Sequence, residues 1–338
     1  MKVVELREAW SLDNLVLTER PRPEPGPGQV LLKVRAAAIN FRDIVMCKGG
    51  YGRFAGELPL VPVSDCVAEV VGHGEGVTRV GVGDRVCPIF CQKWISGPPT
   101  PEKLSTALGG PLDGALAEYM VVDAEGVVPA PPHLSELQAA TLPCAAITAW
   151  SAVVTQGAVT AGDTVVVQGS GGVSVFALQF AKCLGAEVVA TSSSDEKLER
   201  LRALGADHVI NYRTTPDWGK LAKAMTGGRG ADLIVDVGGA ATLPQALRAV
   251  RVGGQIALIG VVSGNTVELP LGPVVTQNLR LQAITVGSRE AFEAMNRAIE
   301  INRIEPVVDR VFPFTEIRAA LDYLASGQHF GKVCLSYE

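Results

Sequence analysis

Residues 164–197, TVVVQGSGGVSVFALQFAKCLGAEVVATSSSDEK, decide the architecture. Val165, Val166 and Val167 form a β-branched run, the pattern of a parallel strand buried on both faces. Gly169-Ser170-Gly171-Gly172-Val173-Ser174 follows, and so tight a turn needs residues without a Cβ if backbone N–H groups are to approach a pyrophosphate. Val173, Phe176, Ala177, Phe180, Ala181 and Leu184 then recur at helical spacing, and Glu187–Thr191 reads as a second strand. The N-terminus of that helix presents unpaired N–H groups and the positive end of its dipole, which suits an anion. A glycine motif alone is weak, and its sixth position is Ser174 rather than Gly or Ala. The strand before it, and the helix and strand after it, are what point to a dinucleotide, with Gly169, Gly171, Gly172 and Val173 at the phosphates.

The end of the second strand separates the two nicotinamide cofactors. An NAD site usually places a carboxylate there for the ribose hydroxyls. Here Thr191-Ser192-Ser193-Ser194 stands instead, with Lys197 one turn further on. Hydroxyls such as that of Ser192, and the Lys197 ammonium, would hold a 2′-phosphate that a carboxylate would repel. Ser193 and Glu196 also read as a capping box for a helix over Asp195–Leu204 that stops at Gly205. NADP(H) is therefore expected over NAD(H).

With 338 residues the chain can hold two domains, and 47% hydrophobic against 19% charged residues describes a compact protein. A net charge of −5 without basic runs gives no reason to expect nucleic acid or an anionic membrane. MKVVELREAW reads as an alternating strand rather than a signal peptide, and the longest apolar tract, residues 142–154, is short for a bilayer. Seven cysteines without C-x-x-C spacing read as reduced thiols, so a cytoplasmic location is expected.

Short strands broken by Gly and Pro fill residues 1–123, at Val30–Ala36, Cys66–Val71, Asp84–Ile89 and Ala117–Val122, as in a partly closed β-barrel. Beyond Pro129-Ala130-Pro131-Pro132, helical patterns over 195–204, 217–226 and 243–250 alternate with strands Ala206–Tyr212, Asp232–Val237, Gln255–Val262 and Arg280–Val286. That alternation predicts an α/β, doubly wound parallel sheet. Two amphipathic helices, Ala291–Ile301 and Phe314–Ala325, precede a last strand, Lys332–Tyr337, expected to return to the barrel. The organisation expected is a barrel domain over 1–123 and 289–338, with a dinucleotide domain over 124–288 inserted in it.

The segments AAAINFRD (36–43), GVGDRV (81–86), DGALAEYMVV (113–122), AATLPCAAITAW (139–150), the glycine loop and GKVCL (331–335) together resemble the medium-chain dehydrogenase/reductase superfamily, across the whole chain. The resemblance implies a GroES-like barrel beside a Rossmann domain, with the active site in the cleft between them. Zinc members of that family carry a Cys where this chain has Asn40, and His and Glu where it has Val63-Ser64-Asp65; only Cys144 is of ligand type. Catalytic zinc needs three such ligands, and a four-Cys structural site is missing as well, only Cys91 lying in that loop. His73, His133, His208 and His329 fall outside these positions. No metal is expected.

Asn40-Phe41-x-Asp43 followed by Gly49-Gly50-Tyr51 resembles instead the zinc-independent quinone and enoyl reductases. Their chemistry is hydride delivery from NADPH to the β-carbon of a conjugated carbonyl, then protonation, for which Tyr51 is the first candidate and Asp65 the second. Tyr51 also reads as a plain loop tyrosine, and Arg42 with Asp43 as an ion pair bracing the loop. By the same resemblance Asn40, Phe41 and Arg42 approach the cofactor and Thr148 packs behind the nicotinamide. Ile259, Val261, Val286 and Ser288 lie at strand ends that bind the carboxamide, Tyr212 lies near the adenosine phosphate, and Lys332 closes the far side. Cys144 lines the site without a metal, and Phe90 and Trp94 shape the substrate pocket or belong to the core. An alcohol or carbonyl oxidoreductase of the same fold, and an NADPH-binding sensor without turnover, are the competing readings. A small-molecule substrate is expected, and a homodimer formed through Leu279–Val286.

Overall fold

The computed structural model describes residues 1–337, apart from the side chain of Arg53. The chain divides into two compact units, Met1–Ile147 with Val286–Glu338, and Thr148–Thr285.

The first unit opens with the antiparallel hairpin of β1 (Lys2–Leu6) and β2 (Leu15–Glu19). β3 (Gln29–Ile39), β4 (Asp65–His73), β5 (Arg85–Pro88), β6 (Tyr119–Asp123) and β7 (Val127–Pro129) follow. Between them lie the helices α1 (Phe41–Cys47), α2 (Pro101–Leu104) and, after β7, α3 (Glu136–Ala139). β3 is the spine: its alternate residues Val30, Leu32 and Val34 enter the core, and it pairs antiparallel with both β4 and β6. β7 pairs with β5 through Val86↔Pro129, and the units divide at 147/148 and 285/286 where 123/124 and 288/289 were expected.

The second unit starts in α4 (Ile147–Trp150), which π-helical turns at Leu142–Ala146 and Ser151–Thr155 flank. Pro143 has no N–H to donate, and the Ile147 N–H reaches back to the Leu142 carbonyl. The helical run Glu136–Thr155 is thus longer than the apolar tract 142–154 suggested; by length and composition alone it could cross a membrane, and 72% of it is buried inside the protein as core.

Strands β8 (Thr164–Gln168), β9 (Glu187–Ser192), β10 (His208–Asn211), β11 (Ala231–Asp236), β12 (Val250–Leu258) and β13 (Arg280–Ala283) form one parallel sheet in the order β10-β9-β8-β11-β12-β13. The order reverses at β8, as in a doubly wound Rossmann fold. Helices α5 (Gly172–Cys183), α6 (Asp195–Ala203), α7 (Trp218–Met225), α8 (Leu243–Ala249) and α9 (Leu271–Thr276) connect the strands. α5 is buried almost all round, and Phe180 meets Trp150 edge-on at 5.3 Å between ring centroids. The cap of α6 is Ser194, whose hydroxyl accepts from the Lys197 N–H, one residue later than the expected box at Ser193.

The chain then returns to the first unit through α10 (Arg289–Asn302), β14 (Val308–Pro313), α11 (Ile317–Ala325) and β15 (Lys332–Ser336). β15 pairs antiparallel with β3, through Val333↔Ile39 to Ser336↔Ala36, as the returning-strand reading expected.

Candidate functional site

In the second unit the glycine turn follows β8. Gly169 has φ +78, a conformation L side chains rarely adopt, and open space stands where its Cβ would be. Its N–H bonds to the Thr191 carbonyl at 2.9 Å, tying the turn to β9. Gly171 caps α5 and Gly172 begins it, with Val173 half-buried. Ser174, at the sixth motif position, is buried and donates to the Gln168 carbonyl at 2.6 Å, so its hydroxyl locks the end of β8 instead of obstructing the turn. A turn at the carboxyl end of the central strand, leading into a twelve-residue helix, fits a dinucleotide pyrophosphate.

Ser192 ends β9, and its carbonyl accepts the N–H of the exposed Tyr212 at 3.1 Å, which brings these two expected residues together. The next carboxylate along the chain, Asp195, accepts the Asn211 amide at 2.7 Å. Asp236, buried at the end of β11, takes the N–H groups of Gly238 and Gly239 and the Thr242 hydroxyl on one oxygen and so fixes the following loop. Thr148 is buried, Ile259 is half-buried and Val261 is exposed.

The ionisable candidates gather in the first unit. α1 begins immediately after β3, and its cap, Asn40, is the hub. The Asn40 N–H donates to Asp43 Oδ2 at 2.8 Å, while its side-chain Nδ2 donates to Asp65 Oδ2 at 2.9 Å. Lys332, at the start of β15 and only 3% exposed, donates from Nζ to Asn40 Oδ1 at 2.5 Å and to the Ile39 carbonyl at 2.8 Å. Ser64 Oγ donates to Asp65 Oδ1 at 2.6 Å. Asp65 has no exposure, so its two oxygens meet protein donors rather than solvent.

Burial raises the Asp65 carboxyl above its ordinary value, and Lys332, Ser64 and Asn40 offset only part of that rise. Asp43 is raised to about 6, first by burial and then by the charge on Asp65, against the pull of Arg42. The Cys144 thiol is driven above its usual range by burial and by Asp65.

Arg42 is spent inside the unit. Its guanidinium reaches the Leu108 carbonyl at 3.2 Å and the Gly110 carbonyl at 3.4 Å, lies 3.4 Å from Asp43 Oδ1, and stacks over Phe90 at 4.5 Å and Tyr51 at 5.7 Å. This is the bracing arrangement expected of the Arg42–Asp43 pair. Phe41 and Tyr51 are each 40% exposed. The glycines before Tyr51 have a steric cause, since a Cβ on Gly50 would lie 2.5 Å from Val45 Cγ1. Ser288 is buried and caps α10, Val286 is buried beside it, and Trp94 belongs to the core. Lys332, expected to close the far side of the cofactor site, donates to Asn40 and Ile39 within the first unit.

Sequence reasoning missed Val63. This β-branched residue sits at φ +70, an outlier that costs about 1–3 kcal/mol, and it aims Ser64 and Asp65. Gly109 and Gly114 clamp it: a Cβ on either would lie 2.8 or 2.1 Å from the Val63 backbone. The glycine-rich run 109–114 was the available signal.

These residues do not fit a catalytic zinc. An amide already holding an ammonium, a carboxylate with both oxygens taken, and a single thiol do not supply three anionic or imidazole ligands. Among the described residues no three His, Cys, Asp or Glu side chains are grouped for a metal.

Residues 26–132 match the family model described as the alcohol dehydrogenase GroES-like domain, and residues 172–300 the one described as zinc-binding dehydrogenase. A zinc-type alcohol dehydrogenase-like protein of Schizosaccharomyces pombe is 43% identical, over 98% of this chain and 97% of that one. The crystal structure of an NAD-dependent alcohol dehydrogenase is 34% identical and superposes with a TM-score of 0.91 over the whole of both chains. A mycobacterial protein solved in complex with NADPH is 26% identical, with a TM-score of 0.84 over the whole of both chains.

Proposed function

Since the chain belongs to the medium-chain dehydrogenase/reductase superfamily and is an oxidoreductase of the alcohol dehydrogenase-like type, we propose that it is a metal-independent, NADPH-dependent reductase of conjugated carbonyls or quinones. The observation that carries this reading is the Lys332 ammonium seated on Asn40, where zinc members of the family need a ligand. Bound NADPH would supply a hydride to the β-carbon of the acceptor.

The chain's own part is to hold the nucleotide and to provide a proton. Gly169, Gly171 and Gly172 open the turn to the pyrophosphate, while Ser192 and Lys197 favour a 2′-phosphate. Tyr51 supplies the proton to the α-carbon or to the carbonyl oxygen. Although 40% of the residue is open to solvent, the protein packed around its phenol pushes the group up, more than Arg42 draws it down, so it stays protonated at neutral pH. The free thiols fit a reducing cytoplasm, and the exposed edge of β13 fits a homodimer.

NADPH oxidation is measured with phenanthrenequinone, methyl vinyl ketone and hexanal, beside metal analysis of the purified protein. Turnover of the quinone or the enone is expected without added zinc, with kcat for the enone falling roughly 100-fold in Tyr51→Phe. Turnover of hexanal alone with stoichiometric zinc would establish the alcohol dehydrogenase reading. Tight NADPH binding with no turnover would establish a sensor.

A further inference from the structure

Two charged side chains and an amide from distant parts of the chain meet in the first unit. Lys332 and Asp65 are both buried, and no direct ion pair joins them; the Asn40 side chain stands between. An ammonium has donors only, so the Asn40 group facing it must be the carbonyl oxygen. That choice turns the NH2 group towards Asp65, and a carboxylate that receives donors on both oxygens matches the ionised form. The hydrogen-bond directions are therefore set from the lysine end. We propose that Lys332 is a positioning residue that acts through Asn40: it fixes the orientation of the amide and supplies the positive charge that keeps Asp65 an anion, the part a bound cation would otherwise play in this cluster.

Two consequences follow. Asp65 is a fixed acceptor and not a proton donor, which leaves that task to the exposed Tyr51. The strained Val63 has a purpose as well, since Ser64 and Asp65 must be delivered to an amide whose orientation is already set.

The groups that face Asp65 come from several elements. Lys332 lies on β15, Arg42 and Asp43 on α1, and Cys144 on the π-helical turn. Around it on the strands lie the buried thiols of Cys66, Cys87 and Cys334, all pushed up by burial and therefore neutral. Lys332 and Arg42 are the two cations of the set, and Arg42 is committed to Asp43 and to two carbonyls. Lys332 is the cation bonded to the amide that holds Asp65.

The test reads Asp65 directly. Protein labelled with carboxyl-13C aspartate is titrated by NMR, the Asp65 resonance being identified by its loss in Asp65→Asn. In the wild type the resonance stays that of a carboxylate at pH 7. In Lys332→Gln, which keeps a donor for Asn40 but removes the charge, the midpoint rises by about one pH unit or more, and Lys332→Arg restores it. If Lys332→Gln does not fold, Asn40→Ala breaks the same bridge and shifts the midpoint the same way. A wild-type Asp65 that is already neutral at pH 7, or a midpoint that neither variant moves, overturns the proposal. The titration needs no substrate, so it stands or falls apart from the reductase reading.

Discussion

Asp43 answers to pH in the opposite sense to a surface carboxyl. Its folded-state value of about 6 exceeds the ordinary 3.8, so the folded protein binds that proton more tightly than the unfolded chain does. Stability from this group is present below about pH 4 and lost as pH rises to about 6. Asp43→Asn should flatten that slope, shrinking the stability difference between acid and neutral pH by up to about 3 kcal/mol in urea denaturation. At the other ligand, Ser192→Asp places a carboxylate where the 2′-phosphate is expected. Fluorescence titration should show NADPH affinity falling roughly ten-fold or more relative to NADH. An unchanged ratio would remove the argument for the phosphorylated cofactor. Individual features were legible where they are local: the tight glycine turn between β8 and α5 and the Arg42–Asp43 contact could be read from neighbours in the chain. The bond from Lys332 to Asn40 could not, because it joins positions 292 residues apart and depends on the pairing of β15 with β3.

Among the elements, α5 carries the second unit, and its burial is not confined to one face. The spacing of Phe176, Ala177, Phe180 and Ala181 marked the helix, yet Val175 and Leu178 are buried too, since segments other than the sheet also cover it. Phe180 is 1% exposed, lies against Trp150 and stacks near Phe176 at 6.0 Å. Phe180→Ala should therefore cost about 3–5 kcal/mol of unfolding free energy, read from the urea midpoint at constant slope. A loss below about 1 kcal/mol would mean that the helix is loosely packed at this position. Strand ends were the least legible feature. β13 stops at Ala283 rather than Val286, and β12 begins at Val250 rather than Gln255. In β13 the apolar run outlasts the ladder, whereas in β12 the ladder starts ahead of the apolar run, across an irregularity in its pairing with β11, so composition alone does not mark where pairing starts or stops.

For the molecule as a whole, the insertion of one unit into the other was readable from the change of texture and from GKVCL, but the position of the boundary was not. Pairing with β5 holds β7 in the first unit, and residues 124–147 belong to that unit although nothing in their composition announces it. β13 lies at one edge of its sheet, with Arg280, Gln282 and Ala283 exposed. In the same unit Val252, Leu271 and Val275 each leave more than half of their surface exposed. Light scattering should return twice the chain mass of 35.5 kDa, and a monomer at micromolar concentration would refute pairing through this edge.

Because β15 lies directly against β3, the order of synthesis constrains the order of assembly. A ribosome delivers β3 some three hundred residues before β15, so the end of the spine that β15 covers, Ala36 to Ile39, waits unpaired on that side while the inserted sheet is being made. Asn40 meets Lys332 only once β15 has emerged, and a nascent chain stalled short of that strand would carry the glycine turn but not the finished charge cluster.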